Sequence, residues 1–253
     1  MWYKVARNDY AKYQLFSNFD EIVTQVFHVV EHMKEKLKLA EEQYKNDALS
    51  GKSSNPYYEY PIVEQAQSDI GVKYFKSDEL GLTVPLRCTN RGGFGGIAEY
   101  DNNGGVHLNL QSVALRRRVN NQRDMARILA HELQHAAEHY YQNFSDTLSD
   151  KEKHKSKKWS ESAEQNMQQQ GLEVLNTTAY YNEPTEVRAR LAEILLHYGL
   201  PQSQSAMQEQ MMNSNYADYR NMITQALSED VMSQLSPEAT QYMVKELYKA
   251  IWE

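Results

Sequence analysis

Cys88 is the only cysteine in 253 residues, so no internal disulfide framework holds this chain, and a reducing compartment is expected. Long apolar runs are missing too. Nowhere do about 18 apolar residues follow one another, and no membrane span is expected. The first ten residues contain no apolar segment of signal-peptide length. The sequence therefore reads as cytoplasmic. There is no excess of positive charge: 27 Lys and Arg stand against 34 Asp and Glu, a net −7, which argues against nucleic acid as the main partner. No internal repeat points to a solenoid. What remains, 41 % hydrophobic and 24 % charged residues, is ordinary for a globular chain long enough to bury a full core.

Several partial motifs fail for want of one component. Gly51-Lys52-Ser53 echoes the end of a phosphate loop, but the earlier glycine is absent. The glycines from Gly92 to Gly96 lack the strand-to-helix setting of a dinucleotide fingerprint and read as flexible backbone. His28 and His32 have the spacing of a metal pair but no third ligand, and read as helix-surface residues. Cys88 reads as a small buried side chain, and the ten methionines as core filler.

Periodicity predicts a helix over 17–48, capped by Ser17 or Asn18, and a short one over 62–70. Residues 82–88 have strand character, with Pro85 directing them to a sheet edge. Residues 91–100 and 106–110 make a hairpin about an Asn-Gly turn. Arg116-Arg117-Arg118 reads as a solvated helix entry, and the charge run 151–158 as a mobile solvated loop. Further helices are expected over 160–176 and 184–198, the latter between Pro184 and Gly199-Leu200-Pro201. Two or three more, rich in Met and Gln, fill 203–251, with Ser236-Pro237 starting the last.

One stretch stands apart. His131-Glu132-Leu133-Gln134-His135 lies in a helix expected over 121–141, and from 128 to 137 every other residue is uncharged. Residues four apart on a helix share a face, so two imidazoles can reach one small cation. Neutral imidazole suits zinc, and a carboxylate beside the open coordination position can take a proton from water there. Buried imidazoles and a buried carboxylate are costly without such a partner. The stretch reads as the active helix of a zinc hydrolase.

Two imidazoles leave a catalytic zinc one protein ligand short. The metzincin pattern fails, since Glu138 and Tyr141 stand where it needs glycine and histidine. His139 is on the same helix but out of reach of the same ion. His154 sits in the lysine run. Glu186, in the first turn of the 184–198 helix with small Ala189 after it, is the better candidate. Glu183 and Glu193 compete: the first suits a helix N-terminus, and the second can back a ligating histidine.

HExxH followed some fifty residues later by Tyr180-Tyr181-Asn182-Glu183-Pro184-Thr185-Glu186-Val187-Arg188-Ala189 resembles a gluzincin-type zincin metallopeptidase, similar to lethal-factor-like and ImmA/IrrE-type peptidases. The resemblance covers about residues 90–200. It implies His131, His135 and Glu186 as ligands of one Zn2+, Glu132 as general base, and Tyr180 or Tyr181 as a donor to the oxyanion. It also implies an α+β, mostly helical fold with a zincin-like core, in which a small mixed sheet or hairpin packs on the active helix. The expected division is an N-terminal helical segment (1–55), a metallopeptidase domain (56–200) and a C-terminal helical extension (201–253). The hairpin resembles the zincin edge strand, so a protein or peptide substrate is expected to lie extended along strand 106–110. A catalytically silent zinc-binding module that docks a partner protein is the alternative.

Overall fold

In the computed structural model, the described residues are 12–52, 55–89, 97–101, 105–115, 119–141, 150–175, 177–200 and 203–253. The glycine stretch 92–96, the Asn-Gly turn, Arg116-Arg117-Arg118 and Pro201 lie outside them. The chain is mostly helical with one small mixed sheet, as an α+β reading requires. Among the described residues no helix is long and apolar enough to cross a membrane.

The described residues group into two compact units, 14–136 and 137–253 with 12–13, a different division from the three expected segments. The first unit begins with α1 (Phe19–Leu49), whose stripe of Ile22, Val26, Val30 and Met33 is buried. Then come α2 (Glu59–Ile70) and four strands, β1 (Val72–Ser77), β2 (Leu82–Thr89), β3 (Ala98–Asp101) and β4 (Gly105–Asn109). Alternation governs the sheet, with Phe75, Val84, Leu86 and Cys88 all buried at every second position. Phe75 meets Phe16 and Phe19 at ring-centroid distances of 6.3 and 6.1 Å, which seats the start of α1 against β1. His28 and His32 are exposed on α1, as expected.

The strand order is β1-β2-β4-β3, with β2 parallel to β4 and the other pairs antiparallel. This corrects two expectations. Pro85 is in an inner strand, tolerated because the β2–β4 ladder begins one residue later, at Leu86 opposite Val106. Strand β4, which covers the expected substrate strand 106–110 up to Asn109, is also internal. Its main chain pairs with β2 on one side and β3 on the other, so it cannot receive a substrate strand. The edges are β1 and β3. On the edge at β1, the Asn18 side chain donates to Tyr74 O (2.8 Å) and accepts from Lys76 N (2.9 Å). Asn18 thus precedes α1 without capping it through its side chain.

Gly105 opens β4 at φ +87°, and a Cβ there would meet the Pro85 carbonyl oxygen at 2.3 Å. Strain and a backbone clash act together at this position. Gly105→Ala is expected to lower stability by about 2–3 kcal/mol, read as a fall in the urea midpoint. An unchanged midpoint would show that β2 and β4 do not need so close an approach.

Helix α3 (Leu110–Leu115) follows β4, and α4 (Gln122–Tyr141) then carries the HExxH stretch. Asn121 caps α4 by accepting from Asp124 N at 2.9 Å. Met125, Leu129, Leu133 and Ala136 are buried, while Tyr140 near the end of the helix is half-buried.

In the second unit come α5 (Asp150–Gln169), α6 (Thr178–Tyr181), α7 (Pro184–His197), α8 (Gln204–Met211), α9 (Tyr216–Ala226), α10 (Glu229–Gln234) and α11 (Pro237–Trp252). Residues 203–251 thus form four helices instead of two or three. The last starts as expected, with the Ser236 side chain accepting from Ala239 N at 2.9 Å. The charge run 151–158 is a further correction: it is the first half of α5. Its Lys155 ammonium lies 4.2 Å from the Trp159 ring centroid and 4.1 Å from that of Tyr242, so part of the run is held against aromatic surface. The helix ends at Gln169, so 170–175 are not helical as expected. Nine of the fourteen residues of α7 are buried, which marks it as an internal helix of this unit.

Candidate metal centre

The site is built on α4 and α7. Pro184 at the first position of α7 and Gly199 at φ +68° just past its end set that helix as the sequence predicts. Before it, Asn182 is fully buried and fully used. Its amide donates to Thr178 O and Gln234 O (2.8 and 2.7 Å), and its Oδ1 accepts from Ser236 N (2.8 Å). This fixes where α7 begins, and so where Glu186 projects.

The two helices are joined at their polar faces by Arg188. Its Nε and Nη2 donate to the two carboxylate oxygens of Glu138 on the last turns of α4, at 2.8 and 2.7 Å. Nη2 also donates to Glu152 of α5 at 3.0 Å. Glu138 is only 3 % exposed. Burial works against the charge on Arg188, yet the two carboxylates outweigh it and hold the guanidinium above the ordinary arginine range. The unit boundary at 136/137 falls inside α4, an unbroken helix. His135 and His131 lie one and two turns before Glu138 in that helix.

On that helix His131 and His135 bring their Nε2 atoms 3.2 Å apart, with ring planes at 75°. Glu186, 0 % exposed, joins them: one ligand atom from each of the three residues lies within 4.8 Å of the others. This trio can hold a metal ion. Two donors at zinc-bond length on a tetrahedral ion sit about 3.3 Å apart, close to the imidazole separation seen. Two imidazoles and one carboxylate are the donor set of an open tetrahedral site, so the residues fit the group.

The Glu186 carboxylate is ion-paired with Arg190, whose Nη2 lies 2.7 Å from Oε1. The other terminal nitrogen, Nη1, lies 2.7 Å from Glu193 Oε1. Glu193, expected as a possible support for a histidine, is therefore engaged by Arg190. Burial disfavours the Arg190 charge, but Glu193 and Glu186 overcome it and raise its pKa beyond the usual arginine value. The guanidinium also lies 5.7 Å from the centroid of the Tyr181 ring.

Glu132 is 8 % exposed on α4, next in sequence after the first histidine. Tyr180 and Tyr181 form the end of α6, with ring centroids 5.5 Å apart. Tyr180 is 47 % exposed, while Tyr181 is half-buried beside Arg190. The rival ligands fall elsewhere. Glu183 is the residue before α7, its carbonyl accepting from Val187 N at 2.9 Å, and His154 is exposed on α5. His139 is half-buried near the end of α4 and outside the trio. Cys88 is a buried thiol whose pKa burial pushes up to about 12, in keeping with a packing role.

Sequence reasoning missed Glu138, Arg188 and Arg190. A signal existed for two of them. Glu138 is seven residues after His131 and so on the same face of the helix, just past the stretch 128–137 read as buried. Arg190 stands four after Glu186, the spacing of a helical ion pair. Set beside protein-family models, curated proteins and solved structures, the chain matches none of them.

Proposed function

We propose that this chain is a zinc-dependent metallopeptidase of the gluzincin type, hydrolysing peptide bonds in a protein or peptide. The observation that carries the reading is the convergence of His131, His135 and Glu186 with Glu132 on the same helix. His131, His135 and Glu186 would hold the ion. Zinc at such a seat lowers the pKa of water toward about 7 and polarises a carbonyl. Glu132 takes the proton from the attacking water and delivers it to the leaving amine nitrogen. Of the two tyrosines, Tyr181 is favoured as donor to the developing oxyanion, because it lies beside the arginine that pairs with Glu186. An extended substrate pairs with β3 at the sheet edge, since β4 is already paired on both sides and β1 is partly covered by Asn18.

The test is metal analysis of protein purified without chelators, with peptide-library cleavage measured alongside. One zinc per chain is expected in the parent. Glu186→Ala is expected to lose zinc affinity by at least about 100-fold while keeping its helical circular dichroism, given the binding energies of such sites. Zinc retained at full affinity in that variant would remove Glu186 from the ligand set. Zinc with no cleavage would favour the silent binding module, and a metal-free parent would end the reading.

A further inference from the structure

We propose that Arg190 is a resident counter-cation of the metal site, balancing Glu186 while no ion is bound and drawn toward Glu193 when one arrives. The inference rests on the metal-binding part of the preceding reading and not on turnover. A carboxylate that is 0 % exposed is costly to keep ionised without a cation beside it. Arg190 supplies that cation from the same helix, one turn on. A guanidinium permanently committed to Glu186 would oppose a divalent ion, because two like charges a few ångströms apart in a half-buried site repel strongly.

Glu193 resolves the conflict. It stands three residues beyond Arg190 and holds Nη1 at 2.7 Å, the same distance at which Nη2 holds Glu186. The planar fork of arginine allows both contacts at once. When the ion takes Glu186, the guanidinium keeps a full carboxylate partner and needs no new one. A lysine could not bridge two carboxylates in this fixed way. The three residues form one helical series, four and then three apart, so the device belongs to α7 alone.

The sign of two substitutions separates this role from plain structural support. Zinc is titrated calorimetrically into the metal-free full-length chain and into two variants, with folding followed by circular dichroism. Arg190→Met removes the competing charge and should tighten zinc binding about tenfold, while the metal-free variant melts lower and gains more from zinc than the parent does. Glu193→Gln leaves Arg190 wholly to Glu186 and should weaken zinc binding about tenfold. Arg190→Lys, which keeps the charge, should stay on the parental side of Arg190→Met. Weaker binding in both charge-removing variants, or no change in either, overturns the proposal even though the parent binds zinc. Should Arg190→Met not fold, Glu193→Gln decides alone: parental or tighter affinity overturns. A parent that binds no zinc fails the metal reading instead.

Discussion

Glu132→Gln is expected to lower peptide cleavage by between about a hundredfold and ten-thousandfold while zinc stays bound at the parental stoichiometry. The substitution preserves size and hydrogen-bonding shape, so the helix that carries His131 and His135 is undisturbed. It removes the one property the proposed reaction requires, a carboxylate able to accept and return a proton. A thousandfold loss is about 4 kcal/mol of transition-state stabilisation, too much for a change in packing around a side chain that is 8 % exposed. Glu132 has no evident structural purpose between the two histidines, and its burial brings a desolvation cost. Cleavage at the parental rate in zinc-loaded Glu132→Gln protein would remove Glu132 from the chemistry.

The second large effect concerns stability. Glu138→Ala is expected to destabilise the protein by about 3–5 kcal/mol, because it strands a guanidinium held by a nearly buried carboxylate. Arg188 would keep only Glu152, itself more exposed than Glu138. The double variant Glu138→Leu with Arg188→Leu should recover a good part of that loss, since an apolar pair of similar size needs no charge compensation. Urea denaturation of the three proteins reads both effects. A single variant within about 1 kcal/mol of the parent would mean that the pair is not what fixes the end of α4 against α7.

Some elements were open to the sequence because the forces behind them act over one helical turn. Pro184 and Gly199 bracket α7, and Ser236-Pro237 opens α11. The four-residue spacing of His131 and His135 likewise determines that they share a face. Other features resisted. The lysine-rich run 151–158 looked solvated when taken residue by residue, yet Lys155 rests on Trp159 and on Tyr242, the latter 87 residues away. Asn18 looked like a cap, but its amide is spent on β1, more than fifty residues later.

By itself, then, the sequence determined the helical rods, the imidazole pair and a short set of candidate third ligands. Only the tertiary structure decided that Glu186 joins that pair, that Arg190 stands between Glu186 and Glu193, and that β4 is enclosed by its neighbours. Helix caps and ligand spacing depend on backbone geometry within a few residues. Which strand flanks another, and which carboxylate meets which imidazole, depends on burial shared between segments far apart in the chain, and no local pattern encodes that.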